Sequence, residues 1–168
     1  MKVLLLNGSP RKNGCTYTAL NVVADALKAE GIDAEVFQAG DPDMENVKAA
    51  AAKLKDSDAL VVGSPVYWAS PSGQIIEFMD RLASVAGKDM LYKPAAAIAS
   101  ARRAGTTATL DVLTKYFSYH QMPVVSSCYW NMVHGNTPEE VMKDEEGVQI
   151  MRVLGKNMAW LLKCIEAG

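Results

Sequence analysis

The stretch Asn7-Gly8-Ser9-Pro10-Arg11-Lys12-Asn13-Gly14-Cys15-Thr16-Tyr17-Thr18 collects the groups that hold a phosphate. Hydroxyls come from Ser9, Thr16 and Thr18 and a guanidinium from Arg11, while Gly8 and Gly14 let the backbone approach without a Cβ. The apolar run Val3-Leu4-Leu5-Leu6 precedes it, and a helical pattern at Leu20, Val23, Ala24 and Leu27 follows. The loop therefore joins a strand to a helix start, where free first-turn N–H groups attract an anion. No Lys follows Gly14 and no G-x-G-x-x-G is present, so neither a P-loop nucleotidase nor a Rossmann dehydrogenase is the natural reading.

Two further segments carry matching chemistry. In Gly63-Ser64-Pro65-Val66-Tyr67-Trp68-Ala69-Ser70-Pro71, two prolines stiffen a turn and two adjacent aromatic rings can form a flat wall against a planar ring. In Ser100-Ala101-Arg102-Arg103-Ala104-Gly105-Thr106-Thr107, hydroxyls, a glycine and a helix start supply N–H donors beside two guanidiniums, suited to stabilising negative charge on a reduced heterocycle. Cys15, Cys128 and Cys164 are odd in number, far apart and without C-x-x-C spacing, so they read as small thiols, not as a disulfide framework or metal site. His120 and His134 read as surface or packing histidines, and no general base is named. His134 is the better candidate for touching a substrate or a neighbouring subunit, because the loop Tyr129-Trp130-Asn131-Met132-Val133-His134-Gly135 follows the last strand on the ligand side.

These loops need a scaffold, and the chain alternates short apolar runs with longer segments of helical period. Lys2–Leu6, Ala34–Gln38, Ala59–Gly63, Ala95–Ser100 and Pro123–Ser127 read as strands; Thr18–Glu30, Glu45–Lys55, Ser72–Ala86, Thr106–Tyr119 and Gly147–Ile165 read as helices. Such alternation means βαβ units, a parallel sheet and an α/β class fold: a three-layer α/β/α sandwich. Ligands of such sheets sit beyond the carboxyl ends of the strands where strand order reverses, so the three loops should converge on one pocket. Tyr129–Asp144 is long enough to be a functional loop.

At 168 residues and 49% hydrophobic content, one globular domain is expected over 1–168. A formal net charge of −2, with no basic run, gives no reason to expect nucleic acid or an anionic membrane as partner, so a small molecule is expected. The opening Met1–Leu6 is too short for a signal peptide and no stretch is long enough to span a bilayer, so a cytoplasmic location is expected.

The Asn7–Arg11 motif through Thr16, Gly63–Tyr67 and Ala101–Thr107, in that order, resemble the NADPH-dependent FMN reductase and iron-sulfur flavoprotein branch of the flavodoxin-like superfamily. The resemblance spans nearly the whole chain and implies a five-stranded parallel flavodoxin-like sheet, order 2-1-3-4-5, holding FMN. It further implies that Ser9, Arg11, Gly14, Cys15, Thr16 and Thr18 hold the phosphate, that Pro65, Val66, Tyr67 and Trp68 lie against the ring, and that Ser100, Arg103, Ala104 and Gly105 face its pyrimidine edge. Trp68, Trp130 and His134 are candidate substrate contacts. The chain departs from the iron-sulfur flavoproteins in having no cysteine in Ala39-Gly40-Asp41-Pro42-Asp43-Met44-Glu45, where they carry a compact cluster, so no iron-sulfur centre is expected. Cys15 also stands where relatives often have Asn.

The resemblance implies an NAD(P)H-dependent flavin oxidoreductase that reduces a quinone, a flavin or another small acceptor by ping-pong hydride transfer through flavin N5, the cofactor carrying the chemistry. The rival readings are an electron-carrier flavodoxin and a flavin-binding protein without turnover. Carriers are typically strongly acidic, and this chain is nearly balanced. A homodimer or homotetramer is expected, because Ile75, Ile76, Phe78, Met79, Leu82, Ala83 and Ala86 cover more than the single stripe a surface helix needs.

Overall fold

Alternate residues of the strands bury on opposite faces of one sheet, and this organises the molecule. The computed structural model describes residues 1–168. In chain order it runs β1 (Lys2–Asn7), α1 (Cys15–Ala29), β2 (Asp33–Gln38), α2 (Met44–Lys55), β3 (Ala59–Tyr67), β4 (Ser70–Pro71), α3 (Gly73–Met90), β5 (Ala95–Ala101), α4 (Thr106–Tyr119), β6 (Met132–His134), α5 (Pro138–Lys143) and α6 (Glu145–Ala167). Val3, Leu5, Val61, Ala96 and Ile98 join the core beneath α1 and α6. Leu4, Leu6, Leu60, Val62 and Ala97 join the core beneath α2, α3 and α4. With both faces covered, the central strands read as unbroken apolar runs.

The parallel strands stand in the order β2-β1-β3-β5-β6, which is 2-1-3-4-5 when the small antiparallel β4 is set aside. This is the flavodoxin-like arrangement, and its reversal point lies at β1. β5 is made almost wholly of alanine, and its small side chains leave room for Phe78, Met79 and Phe117 from the covering helices. No helix is long and apolar enough to cross a membrane.

The fifth parallel strand is not where its sequence pattern puts it. In Pro123–Ser127 only Val124 makes a bridge, to Ala95, and the strand proper is β6, paired with Ala99–Ala101. Pro123 has no N–H to donate, and the polar residues after Val125 turn to α6. Ser127 Oγ donates to the Ile150 carbonyl at 2.6 Å, and Asn157 Nδ2 donates to the Ser126 carbonyl at 2.8 Å. The chain rejoins β5 at Asn131, whose Nδ2 donates to the Ala97 carbonyl at 3.0 Å in place of a missing strand partner. Tyr129–Asp144 is consequently not one long loop but contains β6 and α5.

Several boundaries also move, among them the end of α3, which runs past Ala86 to Met90. α1 starts at Cys15 and not Thr18, which puts Thr18 inside the helix. β3 runs on to Tyr67 and folds back as a hairpin with β4. On α3, Ile75, Phe78, Met79, Leu82 and Ala86 are buried in the core beneath it, while Ile76 and Ala83, also counted in the apolar surplus, are half-buried.

Candidate functional site

At the carboxyl ends of β1, β3 and β5, a cavity of about 210 Å³ is lined by Ser9, Arg11, Cys15, Thr16, Pro65, Val66, Tyr67, Ser100, Ala101, Arg102, Gly135 and Asn136. The three loops that the sequence analysis brought to one pocket do meet here, joined by the residues after β6. No carboxylate lines it, and neither Arg11 nor Arg102 is engaged in an ion pair.

Helix capping separates two of the helix starts at this edge from the others. α2, α3, α5 and α6 each begin under a side-chain cap, from Asp43, Ser72, Thr137 and Asp144. The helices α1 and α4 begin instead at Gly14 and Gly105, have no side-chain cap and carry no acidic residue in the first turn. The first-turn amides of α1, from Cys15, Thr16 and Tyr17, have no acceptor in the chain, and two of those residues line the cavity. α4 starts at the same sheet edge, beyond Arg102. Where a cap would compete with an anion, none is present.

The loop before α1 is held from beneath by two amides. Asn7, fully buried at the end of β1, donates through Nδ2 to the Arg11 and Lys12 carbonyls at 3.4 and 3.3 Å and to Gln38 Oε1 at 2.7 Å. Its Oδ1 accepts from the Ser9 amide at 3.2 Å. Gln38 Nε2 in turn donates to the Ser9 carbonyl at 2.6 Å. A Cβ on Gly40 would lie 2.0 Å from that same carbonyl oxygen, so only glycine lets the β2–α2 connection pass here. Gln38 was not among the residues singled out from sequence. An amide at the end of a strand carries no local signal, and its role arises only because β2 lies beside β1.

Several expected contacts are placed elsewhere. Thr18 Oγ1 donates to the Gly14 carbonyl at 3.1 Å, so its hydroxyl serves the helix and Thr18 does not reach the cavity. Gly14 is the first-turn boundary of α1, not a lining residue. Of the two arginines after β5 it is Arg102 that lines the cavity, while Arg103 and Ala104 are exposed outside it. Gly105 has φ +98°, and a Cβ there would come within 2.7 Å of Ala69 Cα; it is a packing point for the β3–β4 hairpin. Trp68, at the hairpin tip, is fully exposed, and Trp130 stands exposed in an edge-to-face pair with Tyr129. Thr16 Oγ1 and Ser100 Oγ share a hydrogen at 2.7 Å and tie α1 to β5. The Cys15 thiol donates to the Gly135 carbonyl at 3.6 Å, and burial pushes its pKa up, against the smaller effects of a backbone hydrogen bond and Arg11, so it is a neutral thiol near pH 7.

A larger hollow of about 530 Å³ lies between α3 and α4, lined by Asp80, Lys115, Tyr116 and His120 among others. It has none of the free helix amides. Burial and the acceptor Asp80 raise the Tyr116 pKa and keep it a phenol donating to that carboxylate. The chemistry for an anionic ligand is at the smaller cavity.

An open parallel sheet in this strand order is the flavodoxin-like fold, and the acid-free cavity at its reversal point, beside an uncapped helix start, has donors suited to an anion. Residues 1–137 match the NADPH-dependent FMN reductase family, and the chain belongs to it. It is similar to an iron-sulfur flavoprotein of Methanocaldococcus jannaschii, 28% identical over 99% of this chain and 100% of that one. An NADPH azoreductase of a Bacillus species is 30% identical over 60% of this chain and 59% of its own. Among solved structures, a flavodoxin from the domain Archaea superposes with a TM-score of 0.75 over 97% of this chain and 99% of that chain, at 18% identity, a likeness of fold. The residues present suit the family's flavin: free amides and two unpaired guanidiniums match a phosphate, and Pro65, Val66 and Tyr67 offer an apolar wall beside it. The β2–α2 connection, Ala39–Asp43, has no cysteine.

Proposed function

We propose that the protein is an FMN-dependent NAD(P)H oxidoreductase acting on a small acceptor: a quinone, a flavin or, by analogy with the azoreductase relative, an azo compound. The observation that carries the reading is the capping pattern. Helices begin all along this sheet edge, and the two that follow Arg11 and Arg102 are those with both glycine at the cap and no carboxylate in the first turn. Bound FMN supplies two-electron redox chemistry. The chain's own part is to bind and orient. Arg11 and the amides of Cys15–Tyr17 neutralise phosphate charge, and the Asn7–Gln38 network keeps their loop from reorganising when the anion arrives. Arg102 sets positive charge at the opposite wall, where it would stabilise a ring that gains negative charge. Tyr67 and Val66 exclude water from one side of the site.

The test is anaerobic mixing of FMN-loaded protein with NADPH and, separately, NADH, followed by addition of a quinone, a flavin or an azo dye. Rapid bleaching of the flavin and its return on adding acceptor are expected. A flavin that binds but is not bleached by either nucleotide overturns the reductase in favour of an electron carrier or a flavin-binding protein without turnover.

A further inference from the structure

His134 closes β6, directly opposite Ala101 in the ladder. Arg102 follows Ala101, Gly135 and Asn136 follow His134, and all three line the cavity. The main-chain N–H of His134 donates to Asp144 Oδ2 at 2.7 Å, and Asp144 Oδ1 accepts from the Gly147 amide at 3.0 Å as the cap of α6. The main chain of His134 is thereby anchored to a long, well-packed helix. Ring Nε2 lies 3.1 Å from the carbonyl oxygen of Arg103. A carbonyl only accepts, so Nε2 carries the hydrogen, and Nδ1 is the nitrogen turned towards Asp144 Oδ2, 3.8 Å away. No other side chain bonds to the main chain of Arg102, Arg103 or Ala104.

We propose that His134 is the positioning residue of the Arg102–Gly105 turn. By donating Nε2–H to the Arg103 carbonyl it holds the exposed turn on the β6–α6 framework, so that the Arg102 guanidinium faces the cavity and α4 starts in register with the β3–β4 hairpin that leans on Gly105. In its consequence for ligand binding the proposal rests on the flavin reading above; in its mechanical part it does not. His134 thus acts through Arg103 and not by touching substrate.

The experiment compares wild type, His134→Ala and His134→Gln, since Gln places an N–H at about the reach of Nε2. In flavin-free protein, ¹⁵N relaxation at Arg103, Ala104 and Gly105 should show order parameters falling from about 0.85 to below about 0.6 in His134→Ala, and staying high in His134→Gln. Two-bond ¹⁵N correlations of wild type should show the Nε2–H tautomer. FMN affinity, read by fluorescence quenching, should weaken about five- to tenfold in His134→Ala and recover in His134→Gln, as expected for one hydrogen bond that orders a binding turn. Unchanged order parameters in His134→Ala, or a Gln variant as poor as the Ala variant, overturn the proposal. Wild-type protein that takes up no FMN overturns the flavin reading instead, and the relaxation data still decide the role of His134.

Discussion

Arg11 is exposed apart from the face it turns to the cavity, has no acidic partner, and sits in a loop whose carbonyls are pinned by Asn7. A charge held in place without a competing carboxylate is the economical way to bind a phosphate, because little is lost when the anion replaces water. A charged hydrogen bond contributes about 1.5–3 kcal/mol, so Arg11→Ala should weaken FMN binding by roughly ten- to a hundredfold in a flavin titration. Thermal stability should barely change, since the side chain packs on nothing in the core. Equal affinity in the variant would put the phosphate elsewhere. Ser9 shows why residue type alone misleads at this scale. Its hydroxyl already accepts from the Arg11 amide at 3.1 Å, so it shapes the loop as well as lining it.

At the scale of elements, the β3–β4 hairpin is strained at the site. Tyr67 pairs with Ser70, leaving Trp68 and Ala69 as a two-residue turn with φ +53° and +56°. Such turns need positive φ at both positions and favour Asn-Gly, whereas Trp and Ala pay for a conformation they rarely adopt. The strain holds Trp68 wholly in solvent at the mouth of the cavity. Replacing the pair by Asn-Gly should stabilise the protein by about 1–3 kcal/mol in a denaturant melt while slowing reduction of the acceptor, the trade expected where strain serves a site. An unchanged melting midpoint would show that the turn carries no strain.

For the whole molecule, exposed aromatic residues gather in two segments. Tyr67 and Trp68 stand exposed at the carboxyl end of β3, and Tyr129 and Trp130 stand exposed just before β6 at the edge of the sheet. We propose that the protein self-associates through the exposed Tyr129–Trp130 pair, a second motive for a dimer or tetramer beside the half-buried outer residues of α3. Light scattering at micromolar concentration should give at least twice the monomer mass, and the double substitution Tyr129→Ser with Trp130→Ser should shift it towards monomer. A wild-type monomer ends the idea. Phe78→Glu is no test of it: Phe78 is wholly buried beneath α3, and a charge there should unfold the chain.

The order of strands and helices was legible because local pattern decides it: short unbroken apolar runs in β1, β3 and β5, a 3.6-residue stripe in α6, and glycine or proline at the breaks. The turn between β1 and α1, with its clustered donors, was legible for the same reason, those donors being adjacent in sequence. What only the tertiary structure decided depends on neighbours distant in the chain. Pro123–Ser127 has the composition of a strand but lies mostly off the ladder, because its polar residues find partners on α6 and Asn131 bridges the gap to β5. Gln38 and His134 matter through carbonyls 29 and 31 residues away, contacts that no window along the sequence contains. Sequence by itself determined the alternation of strands with helices and which turns carry clustered donors, since those follow from each residue's own shape and polarity. Tertiary structure chose which arginine faces the cavity and which amides hold the loops, since hydrogen bonds between elements exist only once packing has brought donors and acceptors within reach.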